Sequence, residues 1–116
     1  VTQYDMWREV AYFAKYVGVS NAFALHTATQ VNAELLGLGD ETGTIECGKA
    51  ADILVTRESP LDDLCALREP IHVMCRGNLV RKLKVKHIPE VDTELDAIMA
   101  MPTEALVEEL ARDGVA

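Results

Sequence analysis

Seven consecutive residues, Gly43-Thr44-Ile45-Glu46-Cys47-Gly48-Lys49, fit the front of a phosphate-binding loop, G-x-x-x-x-G-K, and place a cysteine two residues from a lysine. A phosphate loop needs a strand before it, a helix after it whose first amides aim at the anion, and Ser or Thr after the lysine to hold magnesium. Here Gly37, Gly39 and Gly43 make the preceding segment a run of turns. The apolar run Ile53-Leu54-Val55 follows, and Ala50 stands after Lys49. The spacing therefore predicts a structural turn and no nucleotide site: a tight bend at Gly48, a small Ala51 under close packing, and Asp52 accepting local backbone hydrogen bonds where a strand begins.

Lys49 would lower the pKa of a neighbouring thiol, but a Cys47 nucleophile also needs a base and oxyanion donors, and the sequence offers neither. Lys49 itself is expected to be a solvated turn residue. His26, His72 and His87 share no ligand spacing such as i, i+4, so no metal set is read from them. The expectation is that the chain carries no catalytic, no cofactor-binding and no metal-ligating residue.

Eleven Lys and Arg stand against 19 Asp and Glu, a formal charge of −8, which repels phosphate backbones and anionic membrane surfaces. Neither nucleic acid nor a membrane is an expected partner. Cys47, Cys65 and Cys75 are odd in number and lack C-x-x-C pairing, which suits a reducing, cytoplasmic location. No run approaches the roughly 20 apolar residues of a membrane span. At 116 residues and 49% hydrophobic, the chain suffices for one modest core. Its start at Val1 without Met reads as a processed or excised piece.

The elements that would position these residues form a mixed α and β pattern. Met6, Val10, Phe13, Ala14 and Val17 recur as one face of a helix, with Asp5 as its N-cap and Gly18 as its stop. Ser20 caps a second helical run through Phe23, Ala24, Thr27, Ala28, Val31 and Leu35, ending at Gly37. A short strand is expected over 51–56, buried on both faces because its apolar residues are continuous. Asp62 can cap one helical turn through Leu67, and residues 71–75 and 79–83 read as a hairpin with Gly-Asn at the bend. Pro89 marks a junction, followed by two short amphipathic helices separated at Pro102; Glu104, Glu108, Glu109 and Asp113 supply the wet face of the last one.

The order Ala28-Thr29, Ala33-Glu34-Leu35-Leu36-Gly37-Leu38, Gly43 through Val55, and Ser59-Pro60-Leu61-Asp62-Asp63-Leu64, closed by a hairpin with Gly77 and Val80, resembles the C-terminal part of the metal-dependent amidohydrolase superfamily. Imidazolonepropionase-like and prolidase-like members are the nearest likeness. The resemblance covers about residues 8 to 83 and leaves the tail from Lys84 outside it.

That resemblance implies a single partial domain over 1–116. Residues 1–38 would be a helical hairpin of the last barrel helices, 39–88 a portion of a β-sandwich, and 89–116 a helical tail, the whole an incomplete barrel. It also implies what should be missing. The family's chemistry uses an N-terminal His-x-His pair, a lysine, two further histidines and an aspartate around zinc or another divalent metal, which lowers the pKa of a water. No His-x-His occurs here, and Asp5 lacks the Gly-Thr or Gly-Ser that precedes the family's catalytic aspartate. A whole barrel needs about 250 residues. The chain is thus expected to be an inactive C-terminal fragment of an enzyme cutting amide, cyclic amide or dipeptide C–N bonds, with no cofactor of its own. Its partner would be the rest of the barrel, or a second copy meeting the hairpin side of Trp7, Tyr12, Phe13 and Tyr16. The other reading is a stand-alone interaction or dimerisation module derived from that family.

Overall fold

A computed structural model describes residues 5–114. The chain divides into two compact units, Val1–Val85 and Lys86–Ala116.

In the first unit, helix α1 spans Met6–Val17 and ends at Gly18, whose left-handed φ of 80° lets its amide donate back to the Ala14 carbonyl at 3.1 Å. Asp5 occupies the N-cap position but does not cap. Its carboxylate turns instead to the Trp7 indole and the Arg8 guanidinium, because a buried arginine is a stronger donor than an exposed amide. Ser20 caps the second run as expected, its hydroxyl accepting from the Phe23 amide at 3.1 Å. That run begins as α2, Asn21–His26, and ends as α3, Asn32–Leu35.

Between them lies one π-helical turn, Thr27–Val31, which the apolar periodicity does not announce. Two threonine hydroxyls accompany it: Thr27 donates to the Phe23 carbonyl at 2.9 Å and Thr29 to that of Leu25 at 2.7 Å. Hydroxyls that bond back to the previous turn loosen the regular i→i−4 ladder. The widened turn faces residue 43, where glycine is required twice over. Its φ is +98°, and a Cβ there would lie 2.6 Å from the Ala33 Cβ and 3.1 Å from the Thr29 carbonyl oxygen.

Strands β1 (Ile53–Val55), β2 (His72–Cys75) and β3 (Asn78–Leu79) form an antiparallel sheet in the order β1-β2-β3, with Leu54 opposite Val73 and Cys75 opposite Asn78. The expected double burial of β1 does not hold, since Leu54 and Val55 are 47% and 42% exposed. In this sheet β1 is an edge strand, and the described residues supply too little to cover it. A 3₁₀ turn, Leu64–Leu67, follows β1, and its cap is Asp63 rather than Asp62: the Asp63 carboxylate accepts from the Cys65 amide at 2.9 Å.

The hairpin bend also shifts by one residue. Arg76 and Gly77, at φ 49° and 81°, are the two central residues, and Asn78 already pairs in β3. Two left-handed residues in succession make the turn whose twist suits a two-residue hairpin, and arginine is a poor occupant of the first position. Arg76→Asn keeps the backbone amide that this turn uses and is expected to raise stability by about 0.5–1 kcal/mol. A thermal midpoint unchanged or lowered would show that the left-handed backbone costs nothing here.

The second unit holds α4, Pro89–Ala100, with proline in the first turn where its missing N–H is harmless, and α5, Thr103–Arg112, which begins after Met101-Pro102. Both match the expected tail helices.

Candidate functional site

The 43–53 loop has the bend expected at Gly48. Gly48 turns at φ 91°, and the next regular element is strand β1, so no helix N-terminus points at the loop. Lys49 is not solvated: its side chain is only 17% exposed, pairs with Glu46 at 2.8 Å and donates to the Thr44 hydroxyl at 2.6 Å. Thr44 in turn donates to Glu46. The Lys49 hydrogen bond, followed by that of Thr44, holds the Glu46 carboxyl below its usual range. Lys49 is therefore committed to Thr44 and Glu46 and is not available to activate the exposed Cys47.

Asp52 ties three distant segments together. One carboxylate oxygen accepts from the Arg76 amide at 2.8 Å and the other from the Thr42 hydroxyl at 2.9 Å, while the Gly77 amide donates to the Ala51 carbonyl at 3.0 Å. Its partners are 24 and 10 residues away, not local as the sequence suggested. The Arg76 amide, then Thr42, hold its carboxyl below the usual range. A depressed folded-state pKa stabilises above the unfolded value, near 3.9, and that contribution vanishes as pH falls through the folded one. Asp52→Asn should therefore be less stable than the parent at pH 7 and converge with it in acid. A difference that is constant between pH 7 and pH 2 would contradict this.

The buried charge lies elsewhere, at the start of α1. Arg8 is fully buried and pairs through Nε with Asp5 at 2.7 Å; the Trp7 indole donates to the same carboxylate at 3.2 Å. Trp7 is bracketed by two guanidinium groups, Arg8 at 4.7 Å and Arg68 at 5.3 Å from the ring centroid, which joins α1 to the 3₁₀ turn. Next to it Tyr12 meets Tyr16 at 5.6 Å, and burial raises the Tyr12 pKa. Phe13 stacks on Phe23 at 6.5 Å across the hairpin. The Asp5-x-x-Arg8 spacing is a legible i, i+3 pair. Arg68, sixty residues away, has no such signal. This cluster fixes one helix end and contains no nucleophile or base aimed at open space.

The three histidines belong to different elements: His26 to α2, His72 to the start of β2, and His87 to the second unit, where its Nδ1 lies 3.2 Å from the Asp92 carboxylate. That last pair has no helical i, i+3 or i, i+4 spacing to signal it in the sequence, since it spans the proline-started first turn of α4. Among the described residues no group of three or more His, Cys, Asp or Glu could hold a metal ion. The described residues therefore do not fit a catalytic divalent metal. The open cleft of about 250 Å³ beside the 3₁₀ turn is lined by Arg57, Glu58, Asp63, Cys65, Arg68 and Glu69, a set of mixed charge. No helix among the described residues is long and apolar enough to cross a membrane.

Residues 2–80 match the model of the amidohydrolase family. No curated protein matches the chain. Among solved structures, a Bifidobacterium longum protein provisionally named a prolidase is 46% identical, with a TM-score of 0.81 over 84% of this chain. The matched part is 24% of that protein's length.

Proposed function

This chain belongs to the amidohydrolase family, and on that premise we propose that it forms the C-terminal segment of a metal-dependent hydrolase of C–N bonds in amides, cyclic amides or dipeptides. The observation that carries the reading is a pairing of likeness and lack. The chain is 46% identical to the B. longum protein over 84% of its own residues, yet the described residues hold no metal-ligand group. The prolidase name of that neighbour favours dipeptides within the substrate class. In this reading α1 through α3 are the last barrel helices, and the three-stranded sheet is part of the family's β-sandwich. Zinc or another divalent ion and its ligands belong to the remainder of the enzyme, and this chain alone is inactive.

Exposed apolar residues support the same reading. Leu35 and Leu36 are 81% and 71% exposed, Met6 68% and Val17 60%, apolar side chains whose exposure water disfavours. The rest of a barrel would cover them. The same observation favours the second reading, a stand-alone module that self-associates through the hairpin. Two measurements separate them. Elemental mass spectrometry with an amide, cyclic amide and dipeptide hydrolysis screen should find a metal-free, inactive chain; stoichiometric metal with turnover would overturn the fragment reading. Coding sequence that runs in frame from a His-x-His motif into Val1 would exclude the stand-alone module, and a start codon directly before Val1 would favour it.

A further inference from the structure

Charge is sorted along this chain by sign. Residues 1–69 intersperse five bases among eleven acids, residues 70–89 hold five bases and no acid, and residues 90–116 hold eight acids and one base. In the middle stretch, Arg81, Lys82 and Lys84 are exposed and follow directly on the edge strand β3, beside the exposed Leu79 and Val80. In the last stretch, Glu104, Val107 and Glu108 recur at three and four along α5, so they share one face, and all three are exposed. Each surface thus sets an apolar part beside charges of one sign, and the two signs are opposite. We propose that the strip from Leu79 to Lys84 is the docking surface for the Glu104-Val107-Glu108 face of a second copy of this chain, in a reciprocal two-fold dimer.

A foreign partner would have to offer an acidic surface to the strip or a basic one to the helix, whereas a second copy meets both needs at once. About a two-fold axis each copy lends its strip to the other's helix, so the contact forms twice and the assembly closes. Charge also decides which surfaces meet: helix on helix or strip on strip would oppose like signs, which costs affinity and fixes the register. Leu79, Val80 and Val107 supply the apolar part that such a contact buries, with the charges around it. The formal charge of −8 on each copy opposes approach. At about 0.1 M salt, however, that repulsion is screened beyond about 10 Å, and contacts a few ångströms long are screened much less. This surface is separate from the apolar side of the α1–α2 hairpin, where association would not weaken in salt.

Sedimentation equilibrium of the unaltered chain at about 0.1 M and about 1 M sodium chloride, where the screening length falls from about 10 to about 3 Å, is the first test. Twice the chain mass is expected at the lower salt, with the dimer Kd weakened at least about tenfold at the higher. A monomer at the lower salt would overturn the proposal, and so would association that persists undiminished at the higher, which would place it on the apolar hairpin face. The second test pairs two variants, Arg81→Glu with Lys82→Glu and Lys84→Glu, and Glu104→Lys with Glu108→Lys. Each alone should be monomeric. Mixed, every helix meets a strip of opposite sign again, and a dimer should return. Variants that keep the parent's circular dichroism but stay monomeric when mixed would overturn the proposal. Should a variant fail to fold, the salt dependence of the unaltered chain still decides. Neither test depends on the hydrolase reading, which metal content and turnover address.

Discussion

Replacing Asp5 by alanine is expected to cost the first unit about 3 kcal/mol, at the lower end of the 3–5 kcal/mol seen when one member of a buried ion pair is removed. Arg8 would remain with none of its charge solvated, having lost the carboxylate at 2.7 Å, and the Trp7 indole would lose its acceptor at 3.2 Å. Arg8 makes further interactions, which is why the lower end applies. The chain has one tryptophan, so fluorescence-monitored urea unfolding reads this cluster specifically. Asp5→Asn keeps a neutral acceptor and should fall between parent and Asp5→Ala, since hydrogen bonds to charged groups are about twice as strong as neutral ones. A loss below about 1 kcal/mol for Asp5→Ala would mean that the pair is no more than a surface ion pair in effect.

Gly43→Ala should be damaging for two separable reasons. The left-handed backbone at φ +98° costs a residue with a Cβ about 1–3 kcal/mol, and the added methyl would meet the Ala33 Cβ at 2.6 Å, an overpacking that costs about 1–3 kcal/mol more. A total loss of about 3 kcal/mol is expected, read by thermal unfolding in far-ultraviolet circular dichroism. Removing the facing methyl as well separates the causes. In Gly43→Ala with Ala33→Gly, the contact part should be relieved and the backbone part should persist, which a double-mutant cycle reports as a coupling of about 1 kcal/mol or more. A Gly43→Ala chain within about 0.5 kcal/mol of the parent would show that the loop simply moves away from the π-helical turn.

What the residues show without a structure is local chemistry. Gly18 and Gly37 as helix stops, Ser20 as a cap and Pro89 and Pro102 as helix starts are all contained in near neighbours, so their spacing alone marks the helices, while the four ordered blocks carry the resemblance to the amidohydrolases. Near neighbours also distinguish Gly43–Lys49 from a phosphate loop, and strand β1 follows the loop where a helix would be needed. Where chemistry could go either way locally, the sequence misled. Asp5 could cap or pair, Asp62 or Asp63 could cap, and Gly77 could be either central residue of the bend. At Asp5 the buried Arg8 guanidinium decided, and at the bend the distant Asp52 carboxylate that accepts from the Arg76 amide.

Only the tertiary structure showed that Asp52 bridges to Thr42 and Arg76, that Arg68 reaches Trp7, and that Gly43 sits against a widened helical turn. These contacts join residues ten or more positions apart, and no period along the chain encodes them. The same limit explains β1. Three consecutive apolar residues signal a strand that some surface should cover on both faces, but whether that surface is present depends on partners in space, and among the described residues Leu54 and Val55 remain half exposed. Helix ends and family blocks are properties of neighbours in sequence; burial, buried ion pairs and close backbone approach are properties of neighbours in space.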